Sequence, residues 1–204
     1  MRAPRAGVDP GPALSFPPEL LLAARGPGAG VAAAIFDVDG VLTDGRVYIG
    51  AEGEAFKAFS TLDGQGLKLL AQGGIVPIIV TGRDSPAVRR RVAELGLVHA
   101  AYGAADKLAA AWPILEALGL DWDRVAAMGD DWPDLPLMRR AVFACAPPHA
   151  HIEARAVAHH VTAAAAGFGA ARELCDLLLV AAGRYAALLR EPLHTLDRTN
   201  DGAG

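Results

Sequence analysis

Apolar runs recur along the middle of this chain, and each stops at a polar or glycine-rich break. Val31-Ala32-Ala33-Ala34-Ile35-Phe36 ends at Asp37, Ile75-Val76-Pro77-Ile78-Ile79-Val80 ends at Thr81-Gly82-Arg83, and Val125-Ala126-Ala127-Met128 ends at Gly129-Asp130-Asp131. Runs that are apolar throughout predict strands covered on both faces, the environment of a parallel sheet. Shorter runs at residues 98–102 and 141–144 continue the series.

Helical signals fill the intervals. Asp63, as a possible N-cap, and Gly64 open a helix that Gly73-Gly74 closes, and Ser85-Pro86 opens another that Gly96 closes. Asp106-Lys107 leads a helix ended by Gly119, a proline-led helix is expected near residues 149–158, and a last helix runs from Gly169 to about Leu189, with Pro192 ending it. Alternating strands and helices predict an α/β fold with a mainly parallel sheet. One departure from the alternation is informative. Arg46-Val47-Tyr48-Ile49 and Ala55-Phe56-Lys57-Ala58-Phe59 flank Gly50-Ala51-Glu52-Gly53, which predicts a β-hairpin over about residues 46–60, inserted after the first strand. That is enough chain for a flap and too little for a lid domain, so a site beneath it stays open unless another subunit covers it.

The flanks read differently. Residues 1–30 are rich in Pro, Gly and Ala and are expected to form a disordered extension, leaving one domain over residues 31–191 and a flexible tail over 192–204. Prolines and Glu19 interrupt any apolar signal core, and no run reaches the about 18 unbroken apolar residues of a membrane span. Cys145 and Cys175 lie in apolar surroundings with no metal-knuckle spacing, which fits reduced thiols in a cytoplasmic protein. A net charge of −4 offers no basic face for nucleic acid or anionic lipid. The histidines at 149, 151, 159 and 160 read as surface residues, and the three tryptophans as packing anchors.

In a parallel α/β sheet, ligands bind outside the carboxyl ends of the strands. Asp37, Asp39, Thr81, Arg83, Asp130 and Asp131 all fall at such ends, and Lys107 falls at a helix start. Carboxylates from two strand ends make an all-oxygen environment suited to a hard cation such as Mg²⁺. A carboxylate can also attack phosphorus, and a second acid two residues on can protonate the leaving oxygen and then activate water.

These residues resemble the motifs of the haloacid dehalogenase-like phosphatases: Asp37-Val38-Asp39-Gly40-Val41-Leu42-Thr43 the first, Thr81 the second, Lys107 the third and Gly129-Asp130-Asp131 the fourth. The resemblance implies a Rossmann-like doubly wound sheet and an aspartyl-phosphate mechanism, with Asp37 as nucleophile and Asp39 as general acid/base. It implies Mg²⁺ held by Asp37, the Asp39 backbone carbonyl and Asp130, phosphoryl binding by Thr81 and Lys107, and support from Asp131 and Asp134. Within that superfamily, the absent cap, the hairpin ending in Phe59-Ser60-Thr61-Leu62-Asp63-Gly64-Gln65-Gly66, Thr81-Gly82-Arg83 and the segment Gly169-Ala170-Ala171-Arg172-Glu173-Leu174-Cys175-Asp176 resemble the 3-deoxy-D-manno-octulosonate 8-phosphate phosphatases. That family implies a phosphorylated sugar acid of lipopolysaccharide precursor synthesis as substrate, Gly82, Arg83, Asp63 and Gly64 as its contacts, and a homotetramer in which neighbours cover each site. Two departures stand out: Leu62 where many members carry arginine, and Ala166-Gly167-Phe168-Gly169 where many carry Gly-Gly-x-Gly. Leu62 leaves Arg83 as the surviving cation for the sugar acid. The alternatives are a nine-carbon sugar-acid phosphatase of sialic-acid type and a non-catalytic oligomerisation module.

Overall fold

A computed structural model describes residues 12–191. Its centre is a six-stranded sheet in the order β5-β4-β1-β6-β7-β8, in which every pairing is parallel. The strands are β1 (Ala33–Phe36), β4 (Val76–Val80), β5 (His99–Ala101), β6 (Val125–Met128), β7 (Phe143–Ala146) and β8 (His160–Val161). The apolar runs fold this way because alternate residues serve opposite layers. Ala34, Phe36, Ile79, Ala126, Met128 and Phe143 join the core on one side, while Ala33, Ile35, Ile78, Val80, Val125 and Ala127 join the core on the other.

The first side is covered by α2 (Thr61–Gln72), α3 (Pro86–Glu94) and α7 (Ala170–Ala181), the second by α4 (Lys107–Leu118), α5 (Leu135–Arg140) and α6 (Ile152–Val157). The predicted α/β architecture, with helices on both faces of a parallel sheet and without a cap domain, is the one that forms. The hairpin stands apart as a two-stranded sheet of β2 (Tyr48–Gly50) and β3 (Gly53–Phe56). Its Tyr48 and Phe56 rings stack with centroids 4.4 Å apart. Among the described residues no helix is long and apolar enough to cross a membrane.

Several local readings need correction. Within the extension expected to be disordered, Pro18–Arg25 form a helix, α1. Its Ala24 is buried, and Leu20 and Leu21 pack with Phe16 against the first core, so the leucine patch supplies the apolar contact that orders the segment. Residues 1–11 of that extension, and the tail over 192–204, lie outside the described residues. The last helix is shorter than expected. It stops at Ala181, because Gly183 takes a positive φ of 69°, and a separate helical turn follows over residues 185–191. The two-residue strand β8 carries no apolar run long enough to announce it.

Asp63 is not the cap of its own helix. Ser60 holds that position, its hydroxyl accepting from the Leu62 and Asp63 N–H groups. Asp63 instead caps α7 across the fold: Oδ2 accepts from Gly169 N at 3.2 Å and Oδ1 from Arg172 N at 2.8 Å. Both donors are among the N–H groups that a helix start leaves without intrahelical partners. Asp63→Ala should therefore lower unfolding free energy by about 1–3 kcal/mol, the cost of stranding buried donors, read as a lower urea midpoint with an unchanged slope. Asp63→Asn, which keeps an acceptor, should lose less; equal losses would mean that the caps contribute nothing specific.

Candidate active site

The chain moves outward from β1 to β4 and β5, then returns to the other side of β1 for β6, β7 and β8. This reversal opens a crevice beyond the carboxyl ends of β1 and β6, where Asp37 and Asp130 leave the sheet. A cavity of about 560 Å³ lies there, lined by Asp37, Asp39, Thr81, Gly82, Arg83, Lys107, Asp130, Asp131 and Asp134, together with Gly45, Val47, Ala104, Ala105 and Pro133. Thus nine of the sequence-selected residues converge on one space. Asp63 and Gly64, expected as substrate contacts, do not reach it: both are buried, Asp63 in capping α7 and Gly64 against Arg91.

Lys107 stands at the centre. Asp106 caps α4 by accepting from Ala109 N, which sets Lys107 at the first helical position. Its Nζ lies 2.7 Å from Asp37 Oδ1 and 2.6 Å from Asp134 Oδ1, and its side chain is 5% exposed. Burial alone would lower the ammonium pKa, but the charges of Asp37 and Asp134 outweigh it and hold the group above its usual value. Asp134 does a second job with its other oxygen, which accepts from Asp130 N at 3.1 Å and Asp131 N at 3.3 Å. One carboxylate thereby fixes both the lysine and the loop after β6.

The acids are crowded. Oxygens of Asp37, Asp130 and Asp134 lie within 4.8 Å of one another. Burial and then like charge push Asp37 up to about 6 and Asp130 up to about 8. Three carboxylates against one ammonium leave an excess of negative charge that a divalent cation would balance. The donor set is entirely oxygen, which suits a hard cation. Backbone shape enforces the approach: a Cβ on Gly40, at φ +90°, would fall 2.1 Å from Asp130 Oδ2, and one on Gly129 would fall 2.2 Å from Asp134 Cβ. These two positions require glycine.

Asp39 turns elsewhere. Its Oδ1 accepts from the Lys57 ammonium and its Oδ2 lies 3.7 Å from Arg83 Nε. Lys57 is not among the residues singled out from the sequence; the available signal is an acid and a base three apart, Glu54 and Lys57, on the hairpin's second arm. Thr81 is buried at the end of β4 and accepts from Arg83 N at 3.4 Å. Asp131 and Trp132 are exposed, with Trp132 Nε1 donating to His151 Nδ1 at 3.1 Å.

No family model matches the chain. A 3-deoxy-D-manno-octulosonate 8-phosphate phosphatase of Salmonella typhi is 43% identical over 150 residues, spanning 74% of this chain and 80% of its own. The crystal structure of a probable YrbI-family phosphatase from Pseudomonas syringae superposes with a TM-score of 0.81 at 42% identity, covering 86% of this chain and 97% of that one. The 3-deoxy-D-manno-octulosonate 8-phosphate phosphatase of Moraxella catarrhalis, crystallised with magnesium, phosphate and KDO, superposes at 0.78 with 38% identity over 84% of this chain and 96% of that one. With identity of this order over most of its length, the chain belongs to the 3-deoxy-D-manno-octulosonate 8-phosphate phosphatase family of haloacid dehalogenase-like phosphatases.

Proposed function

We propose that this protein hydrolyses 3-deoxy-D-manno-octulosonate 8-phosphate to the free sugar acid and phosphate, with Mg²⁺ as cofactor, in lipopolysaccharide precursor synthesis. The observation that carries the reading is the crevice itself, where Asp37, Asp130 and Asp134 crowd around one buried lysine beside Thr81. An Asp37 oxygen attacks phosphorus, the bond from phosphorus to the sugar oxygen breaks, and Asp39 gives its proton to that oxygen. Asp39, now a carboxylate, takes a proton from water as the water oxygen attacks phosphorus, the bond to Asp37 breaks, and phosphate leaves. Thr81 and Lys107 bind the phosphoryl oxygens during both transfers. Asp37, Asp130 and the Asp39 carbonyl would hold Mg²⁺, which supplies positive charge toward those oxygens, with Asp131 and Asp134 supporting its waters and Lys107. Gly82 and Arg83, on the cavity wall, are the sugar-acid contacts in this reading.

The same reading makes the protein a cytoplasmic homotetramer with a single catalytic domain, which α1 joins by packing on α7. Support comes from the apolar side chains that the hairpin and its surroundings leave exposed: Ile49 at 70%, Phe56 at 55%, Leu62 at 57% and Phe168 at 70%. Such a surface favours burial against a second copy. Light scattering should return four times the chain mass; a monomer that is fully active would remove the neighbour from the site.

Phosphate release should be greatest with the eight-carbon sugar phosphate and should vanish with chelator; faster turnover of a nine-carbon homologue would transfer the assignment to that substrate. Asp37→Asn should abolish release while oligomer size and thermal unfolding stay intact, and Asp39→Asn should lower kcat by about 10²–10⁴-fold, the usual worth of a positioned acid. Retained turnover in Asp37→Asn would refute the mechanism, and release from neither sugar phosphate would favour the oligomerisation module.

The acidic pair also predicts a pH dependence. Because Asp37 and Asp130 titrate higher in the folded protein than the usual 3.8, the folded state keeps protons that the unfolded chain gives up. Stability from this pair is therefore full below that usual value and declines as pH climbs through about 6 and about 8. Bound Mg²⁺ replaces those protons, so the rise in Tm on adding Mg²⁺ should be larger at about pH 8 than at about pH 5.5. A rise that shrinks with pH would contradict the site.

A further inference from the structure

Asp39 works as an acid only if its carboxyl stays within hydrogen-bond reach of the leaving oxygen, yet it sits on a turn and is partly exposed, where a short side chain has rotamers to choose from. The Thr43 hydroxyl donates to Asp39 Oδ1 at a long 3.5 Å, and the firmer hold comes from the hairpin. Lys57 follows β3, and although the neighbouring hairpin residues are open to solvent, its side chain is 1% exposed. Its ammonium bonds Asp39 Oδ1 and lies 3.2 Å from Glu54 Oε2. Glu54 in turn accepts from the Ser85 hydroxyl at the start of α3. Ser85 makes no side-chain cap bond to its own helix, so its hydroxyl is committed to the hairpin.

We propose that Lys57 is the positioning residue of Asp39, with Glu54 and Ser85 holding Lys57 in turn. A buried ammonium is costly unless carboxylates surround it, and here two do, one on each side. Glu54 prevents Lys57 from swinging away with Asp39, and the Ser85 bond ties the hairpin to the rigid start of α3. Arg83 reaches the other Asp39 oxygen at 3.7 Å but is 57% exposed, so it is the looser of the two cations. The role makes the hairpin part of the proton-transfer geometry as well as of the subunit surface. It rests on the phosphatase reading above.

The test compares two esters on Mg²⁺-loaded protein. p-Nitrophenyl phosphate loses a stabilised phenolate that needs little help from an acid, whereas the sugar 8-phosphate loses an alkoxide that needs a proton. Lys57→Met should reduce kcat for the sugar phosphate at least ~10-fold more than for the aryl ester, within the ~10²–10⁴-fold worth of a positioned acid, and should leave KM nearly unchanged. Lys57→Arg should recover part of the lost discrimination. Glu54→Gln should show the same bias to a smaller degree, and it supplies the measurement if the Lys57 variants do not fold. Equal loss on both esters, as from a phosphoryl contact or a general structural fault, would overturn the role, as would no loss. Wild-type protein inactive on the sugar phosphate would instead overturn the phosphatase reading, which keeps the two failures apart.

Discussion

The fold depends most on how it tolerates carboxylates packed at the end of its central strand. Lys107 pairs with both Asp37 and Asp134, at 2.7 and 2.6 Å, and it does so while 5% exposed. Such a pair is weak evidence for stability by itself, because desolvation offsets much of the attraction. Its value lies in what would follow from its loss: two buried acids beside a third, with nothing of opposite sign between them. Asp134 extends the constraint into the backbone through the N–H groups of Asp130 and Asp131. The acids are thus held in a geometry that leaves room for a cation and stops short of neutralising the site without one.

Topology explains why the crowding occurs where it does. The chain reverses its direction across the sheet next to β1, so the loops after β1 and β6 diverge and leave a crevice. Gly40 and Gly129 then let the two loops come closer than any residue with a Cβ would allow. Behind them, Asp63 binds the start of α7 and so ties α2 to that helix. The rigid layer under the site is in part an electrostatic one.

Much of this was legible in the sequence because the relevant signals are local. A strand buried on both faces is apolar along its whole length, so β1, β4 and β6 declare themselves, and the residues that follow each are displayed at the sheet's edge. What could not be read depended on distant partners. Asp63 looks like a cap beside its own helix, and only the fold brings Gly169 and Arg172 to it. The leucines of α1 gain their meaning from a core that forms elsewhere. Lys57 looks like one more charge on a flap until Asp39 and Glu54 close on it. Gly183 is a different case: an apolar helix-like run gives no warning that one glycine will take a positive φ and end the helix early.

Two aspartates separated by a single valine therefore come to occupy unlike surroundings. Val38 is wholly buried and pins the turn to the core, while its neighbours point to different partners. Asp37 is buried against Lys107, where burial and Asp134 act together to raise its pKa. Asp39 keeps about a fifth of its side chain exposed and meets two cations, Lys57 and Arg83, with the Thr43 hydroxyl 3.5 Å away. In the proposed mechanism the nucleophile benefits from being fixed and desolvated, whereas the acid/base must give its proton to the leaving oxygen and take one back from the attacking water. The difference is supplied by separate elements, α4 for the first residue and the hairpin for the second. On the proposed roles, a change in the hairpin would alter proton transfer without touching the nucleophile, and that separation would let one short turn carry both tasks.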